Sequence, residues 1–326
     1  MTVEGIFNKT LNAATLTDWN VQDPSGFVRF NGADSRPVYP SGATYTKTSA
    51  YVLENTSRGY GWSFSAQVNA QPWEWLNLMA AYTHTVSKEV TSLPGSNASS
   101  VLNYISTVYG PNNIKLHNGK NVIPDRIVAS ATINDHCNNH YSFIYETWRG
   151  SYNYSYMTVN DINGDGYNYD AIYIPTDDEV ANNQFRFFSE DDKTRFMDYV
   201  HNNSYLKNHQ GEYAEAYSLY SPWVHRIDFS YKHDFKFNIA GHTNMIQLSF
   251  DMKNVLNFFN SSWGVAKYLN PAIGSEARIL RYESTDAEGY PVFSTPQSIN
   301  GDTKTFVPYH AIGQCWYASV GLRYVF

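Results

Sequence analysis

The chain closes on Cys315-Trp-Tyr-Ala-Ser-Val-Gly-Leu-Arg-Tyr-Val-Phe326. Successive side chains of an extended strand point to opposite sides. Trp316, Ala318, Val320, Leu322, Tyr324 and Phe326 therefore share one face, and Cys315, Tyr317, Ser319, Gly321, Arg323 and Val325 share the other. The first face is aromatic and aliphatic, and the second is mostly small or polar. A strand of a soluble sandwich can carry this pattern. It also suits the wall of a transmembrane β-barrel, where the outward face meets lipid and aromatic rings mark the membrane boundary.

The same alternation recurs upstream. Trp62, Phe64, Ala66, Val68 and Ala70 alternate with Ser63, Ser65, Gln67 and Asn69, and Leu76, Leu78, Ala80 and Tyr82 with Asn77, Met79, Ala81 and Thr83. Further strands are predicted around Ile127–Ile133 and Tyr141–Tyr145, and two stronger ones over Trp223–Phe237 and Ile246–Phe258. Weaker signals give strands at Thr2–Ala14, at Thr48–Gln71 with a bulge near Arg58-Gly59, at Ala277–Glu283 and at Tyr290–Ser294. The closing strand is predicted to begin near Phe306. Ser189–Leu206 reads as helical, with Ser189 as N-cap and Glu190, Asp191 and Asp192 in the first turn. The count is about ten strands, many longer than is usual in soluble sheets. Short turns at Pro72, Asn138, Gly241 and Gly289 alternate with long loops, as in outer-membrane barrels with their short periplasmic turns and long extracellular loops. The expected fold is all-β: an antiparallel transmembrane β-barrel portion.

Composition narrows the function. Charged residues are 16% of the 326, below the quarter usual in soluble domains, and 27 Tyr, 18 Phe and 8 Trp take their place. Mean hydropathy is -0.46 and no run reaches the length of a transmembrane helix. A net charge of -7 argues against nucleic acid as a partner. Two cysteines cannot form a disulfide framework. Met1–Lys9 has neither the basic start nor the apolar core of a signal peptide, which leaves a cytosolic protein or a missing upstream region; the barrel-like closing strand favours the second.

The stretch Gln247-Leu-Ser-Phe-Asp-Met-Lys-Asn-Val-Leu-Asn-Phe-Phe-Asn260, followed by Trp263-Gly264, resembles the end of a TonB-dependent outer-membrane receptor. The family's D-x-x-N-x-x-N element is matched by Asp251, Asn254 and Asn257, and Gly321–Phe326 resembles its closing strand. Glu54–Gly61 is similar to the segment before a family barrel strand. Asn160–Asp170 looks like an extracellular loop of the SusC-like branch, or of relatives with a carboxypeptidase-regulatory-like N-terminal extension. The resemblance spans residues 1–326 as one C-terminal barrel region with no separate second domain. It implies that a signal peptide, a TonB box, a plug domain and further barrel strands lie outside the stretch. It also implies residence in the bacterial outer membrane, with lipid, the missing plug and strands, TonB (through the missing region) and a surface substrate-binding lipoprotein as partners. The implied role is energised import of a nutrient: an oligosaccharide, a peptide or a chelate. The alternatives are a self-contained ten-stranded barrel acting as surface protease or adhesin, and a secreted glycan-binding β-protein.

Two groups of residues are candidate sites. Trp148, Tyr152, Tyr154 and Tyr156 cluster where a strand enters the longest loop. Aromatic faces there could stack on substrate, or form the outer aromatic girdle. Asp161, Asn163 and Asp165 have the one-three-five oxygen spacing of a calcium loop, Gly166 stands at the turning position, and Asp170 could add a carboxylate. Ile172 occupies the place of an EF-hand's bidentate Glu, so an EF-hand is excluded. The alternative is a loop in which the same side chains cap their own backbone. No cofactor is required, and Ca2+ in this extracellular loop is the one candidate. His136, Cys137 and His140 lie in a tight hairpin without further ligands. Arg226, Asp228, Asp251, Lys253 and Arg323 are expected to line the interior. No nucleophile, base and orienter set and no phosphate-binding glycine loop is present, so no enzyme activity is expected.

Overall fold

The computed structural model describes all residues except 42–48, 91–96, 103–104, 151 and 240. Its backbone is a large antiparallel sheet of eight strands in chain order: β1 Thr2–Lys9, β2 Tyr60–Trp73, β3 Leu76–Glu89, β4 Asp125–Asn134, β5 Asn139–Arg149, β6 Trp223–Ile239, β7 His242–Lys253 and β8 Tyr317–Val325. A two-residue strand, His117–Asn118, adds to the end of β3. Every long strand pairs with its sequence neighbours: short hairpins set three of these pairs, and the other four form across long connections.

The register brings the alternating patterns together. Phe64 lies opposite Gly5 and His84, Ala131 opposite Leu78 and Phe143, Phe229 opposite Phe143 and Met252, and Leu248 opposite His233 and Leu322. Directly opposed residues share a face, so these rows merge into one mainly apolar face across the sheet. The other face carries Ser65 with Thr83, Ser130 with Ile144, Asp234 with Gln247, and the ion pair that Arg126 makes diagonally with Glu146. The apolar face is largely uncovered: Phe143 is 43% exposed, Val320 74% and Leu322 75%.

The connections alternate strictly. Residues 74–75, 135–138 and 240–241 make the short turns at one end, with Ala240 outside the described residues, and β8 also finishes there. Residues 10–59, 90–124, 150–222 and 254–316 make the long loops at the other end. Those loops hold the hydrophobic core. Tyr156, Ile172, Ile174, Phe196, Val200, Leu206, Ile279 and Phe293 are fully buried in one cluster, and none belongs to the eight wall strands. The sheet is open: among the described residues β1 pairs only with β2, and β8 only with β7.

Several strand expectations change. The strand expected over Ile246–Phe258 ends at Lys253, and Val255–Phe259 is a short helix. The predicted strand Thr2–Ala14 is two pieces. β1 lies in the large sheet, whereas Ala13–Asp18 pairs with Tyr51–Thr56 in a separate ribbon. The bulge expected near Arg58-Gly59 is the matching break, where Gly59 takes φ +138° and its carbonyl accepts from the Thr10 amide. The Thr48 start of that strand lies outside the described residues. The predicted wall strands Ala277–Glu283 and Tyr290–Ser294 belong to the loop assembly. There Ala277–Thr285 and Pro291–Ser294 join Tyr156–Thr158 and Arg186–Phe187 in a four-stranded sheet. Ile279, Leu280 and Phe293 are buried in the core there, so the Gly289 turn lies among the long loops and the large sheet has, among the described residues, eight long strands, not ten. Phe306–Pro308 is a separate short strand, and the closing strand starts at Tyr317. The helical stretch splits into Glu190–Asn202, capped by Ser189, and Ser204–Asn208, capped by Asn203.

Candidate functional site

The D-x-x-N-x-x-N residues fix the loop that follows β7. Asn254 stands in the left-handed region at φ +52° and ends the strand. Its amide donates to Asp228 Oδ1 (2.9 Å), and its Nδ2 donates to the carbonyls of Gly264 (3.0 Å) and Gln314 (2.8 Å). Asn257 Nδ2 donates to the carbonyls of Ser261 and Trp263, and its Oδ1 accepts from the Trp316 amide. The two amides thus tie both ends of the 254–316 loop to the sheet. Gly264 is required beside them, since a Cβ there would stand 1.9 Å from Asn254 Oδ1. Asp228 also pairs with Lys253 (2.8 Å), so two of the expected interior charges neutralise each other on the polar face.

The four aromatic candidates separate. Trp148 lies in β5 on the polar face, with the Arg226 guanidinium 5.2 Å above its ring. It therefore belongs to neither an apolar-face girdle nor the tyrosine group. Tyr152 and Tyr154 touch, with centroids 4.6 Å apart, and Tyr154 reaches Phe306. Tyr156 is 0% exposed. It stacks on Tyr205, its hydroxyl accepts from Asn203 Nδ2 (2.7 Å), and its ring is core rather than a substrate surface. Strand alternation explains the split: the cluster is contiguous in sequence but crosses from wall strand to loop assembly at Gly150.

In the Asp161 loop the side chains cap the backbone. Asp161 accepts from the Gly164 and Gly166 amides at 2.8 Å each. Asn163 accepts from Asp165 N–H, Asp165 from Tyr167 N–H, and Asp170 from Ile162 N–H. Gly164 and Gly166 take positive φ, which a row of such turns requires. Among the described residues no three His, Cys, Asp or Glu side chains converge as metal ligands would. The loop is anchored below by a buried charge cluster. The Arg36 guanidinium, fully buried, contacts Asp34 (2.9 Å), Asp170 (3.3 Å) and the Ala171 carbonyl (2.7 Å), while Tyr213 donates to Asp34. Asp165 is 3% exposed, and its Oδ2 has no hydrogen-bond partner. Burial, with repulsion from Asp161, pushes the Asp165 carboxyl up to about 7. Burial also raises Asp170 well above the carboxylate range, although Arg36 opposes it.

The sequence reading missed a polar cavity of about 680 Å3 at the loop-side ends of β3 and β5. Lys88 and Arg149 enter it from the strand ends, Tyr205 and Asn208 from the short helix, and Glu215 and Tyr220 from the segment leading into β6. Lys88 pairs with Glu215, and the Arg149 guanidinium lies 5.0 Å over the Tyr220 ring. Strand-end cations far apart in sequence give no local motif; only the pairing of β3, β4 and β5 draws them to one place. Comparison of the chain with known protein families, curated proteins and solved structures found no match.

Proposed function

We propose that this chain is wall and outer loops of a TonB-dependent transporter in the bacterial outer membrane, importing a nutrient such as an oligosaccharide, peptide or chelate. The observation that carries this reading is the position of the core. The buried cluster lies in the long loops, while the apolar face of the sheet is bare. In water such a face would be an aggregation surface; in a bilayer it is the outer wall. Its dimensions fit. Trp62 and Trp73 lie near the two ends of β2, roughly 35 Å apart along the strand, and a tilt near 45° reduces that to about 25 Å, the height of a barrel's apolar band. Trp73 and Trp75 stack at the short-turn end (5.2 Å), beside the end where Tyr324 and Phe326 also lie exposed. The bare edges of β1 and β8 support the same reading. Unpaired backbone groups cannot face lipid, so further strands must close the wall. A plug, TonB contact and surface lipoprotein belong to the reading through the resemblance in Asp251–Gly264 and Gly321–Phe326.

The two cysteines test it without mutation. Both are free and exposed; Cys137 sits in a short turn and Cys315 at the loop end of β8. In intact cells a membrane-impermeant maleimide should label Cys315 and spare Cys137, and disruption of the outer membrane should expose both. Equal labelling of both in intact cells, or recovery of the chain in the soluble fraction, would defeat the proposal.

A further inference from the structure

The cavity between Lys88 and Arg149 is polar, large enough for a small-molecule ligand, and richer in positive than negative charge. Two cations line it against one carboxylate, Glu215, within a chain of net charge -7. His209, also in the lining, faces Glu212 at 3.1 Å. Arg149 forms no ion pair among the described residues. The acidic residue directly across the strand pair is Asp125; its Oδ1 is held by Tyr82 (2.7 Å) and His84 (2.8 Å), and it attracts Arg149 without coming within ion-pair distance. Resting over Tyr220, the guanidinium keeps its planar donor edge for a partner, and that geometry matches a carboxylate or sulfate. Asn118, Ser204 and Asn208 supply amide and hydroxyl groups that suit a hydroxyl-rich solute.

We propose that this cavity binds the anionic group of an acidic saccharide, with Arg149 as the primary contact and Lys88 as a second cation that the ligand takes from Glu215. The inference rests on the transport reading for its role but not for its measurement, since binding can be read on the purified protein whatever its location. Glu215 makes the proposal directional. It competes with an incoming anion for Lys88, so removing its charge strengthens binding, whereas removing Arg149 weakens it.

The experiment is calorimetric titration of the intact, detergent-solubilised protein with trigalacturonate, its neutral methyl ester, and a sulfated neutral trisaccharide. The two acidic probes separate carboxylate from sulfate preference. Arg149→Gln should lower affinity for the preferred acidic probe roughly ten- to hundredfold, the loss of a charge-assisted contact, and leave the ester unchanged. Glu215→Gln should raise affinity for the acidic probe by about threefold or more, an effect that misfolding cannot produce. Equal binding of acid and ester, weakening by Glu215→Gln, an Arg149→Gln variant that binds as the parent does, or no binding of any probe would each overturn the proposal. So would Arg149-dependent binding of a tri-glutamate peptide when all three saccharides fail.

Discussion

Asp165 is a buried acid whose charge the fold tolerates poorly, and replacing it by asparagine gives a signed, pH-dependent prediction. Its carboxyl rises from the ordinary 3.8 to about 7 because burial disfavours the ion and Asp161 repels it. The folded value lies above the unfolded one, so the group's contribution to stability is full below about pH 4. It is lost as pH rises through about 7. The difference corresponds to about 4 kcal/mol between neutral and ionised forms. Asp165→Asn removes the charge and keeps an acceptor for the Tyr167 amide. It also puts an amide NH2 where Oδ2 has no partner, at a cost of about 1–3 kcal/mol. The net expectation is that the 161–170 loop gains about 1–3 kcal/mol at pH 8, the remainder of the two terms, and loses about 1–3 kcal/mol at pH 4, where the charge term is absent and only the amide cost is left. Hydrogen exchange of the Ile162, Gly164, Gly166 and Tyr167 amides, in chelator and corrected for intrinsic rates, reads local opening directly. Lower or unchanged protection in Asp165→Asn at pH 8 would refute the reasoning. A calcium arm identifies the other way to neutralise the charge. Wild-type protection that rises with added calcium and disappears in Asp165→Asn would assign a cation to the loop.

Gly264→Ala should loosen the 254–316 loop by about 2–4 kcal/mol, from left-handed strain at φ +66° and displacement of the two Asn254 side-chain bonds; limited proteolysis of that loop at graded temperature measures it. Arg36→Met strands the Asp34 carboxylate in a dry interior and removes the cation that opposes the upward shift of Asp170, and should cost about 3–5 kcal/mol, partly recovered at low pH, with protease resistance of the loop assembly as the readout. If the apolar face meets lipid as proposed, Ala80→Arg places a charge on it and should impair membrane assembly by about 2–4 kcal/mol. Ala81→Arg, one residue on and on the opposite face, should be nearly silent by heat-modifiability on gels.

Much of the large sheet was legible from alternation alone. Trp62–Ala70, Leu76–Tyr82 and Trp223–Phe237 announce strands because period-two patterning is local, and the short turns at Asn138 and Gly241 set register; the turn expected at Pro72 falls instead at Glu74-Trp75, and Pro72 lies within β2 where the register shifts. Ser189 and the acids after it announced the helix for the same reason: a cap and its first turn are neighbours in sequence. The structure decided what alternation cannot express. Ala277–Glu283 and Tyr290–Ser294 read as wall strands, yet Ile279 and Phe293 find a buried cluster among the loops; burial depends on what packs alongside, which a single strand does not encode. Tyr156 looked like its neighbours Tyr152 and Tyr154 until Tyr205 and Asn203, brought from the far end of the same loop, enclosed it. The Asp161 spacing fits both an ion loop and a self-capped turn, because both need oxygens at alternate positions. The buried charge of Arg36, contributed by a different loop, is invisible from that spacing. Lys88 and Arg149 became a site only when β4 paired between their strands. Local patterns are written in the sequence because their interactions span a few residues. Enclosure, charge balance and cavities belong to the tertiary structure because they are made by segments that meet only after the chain has folded.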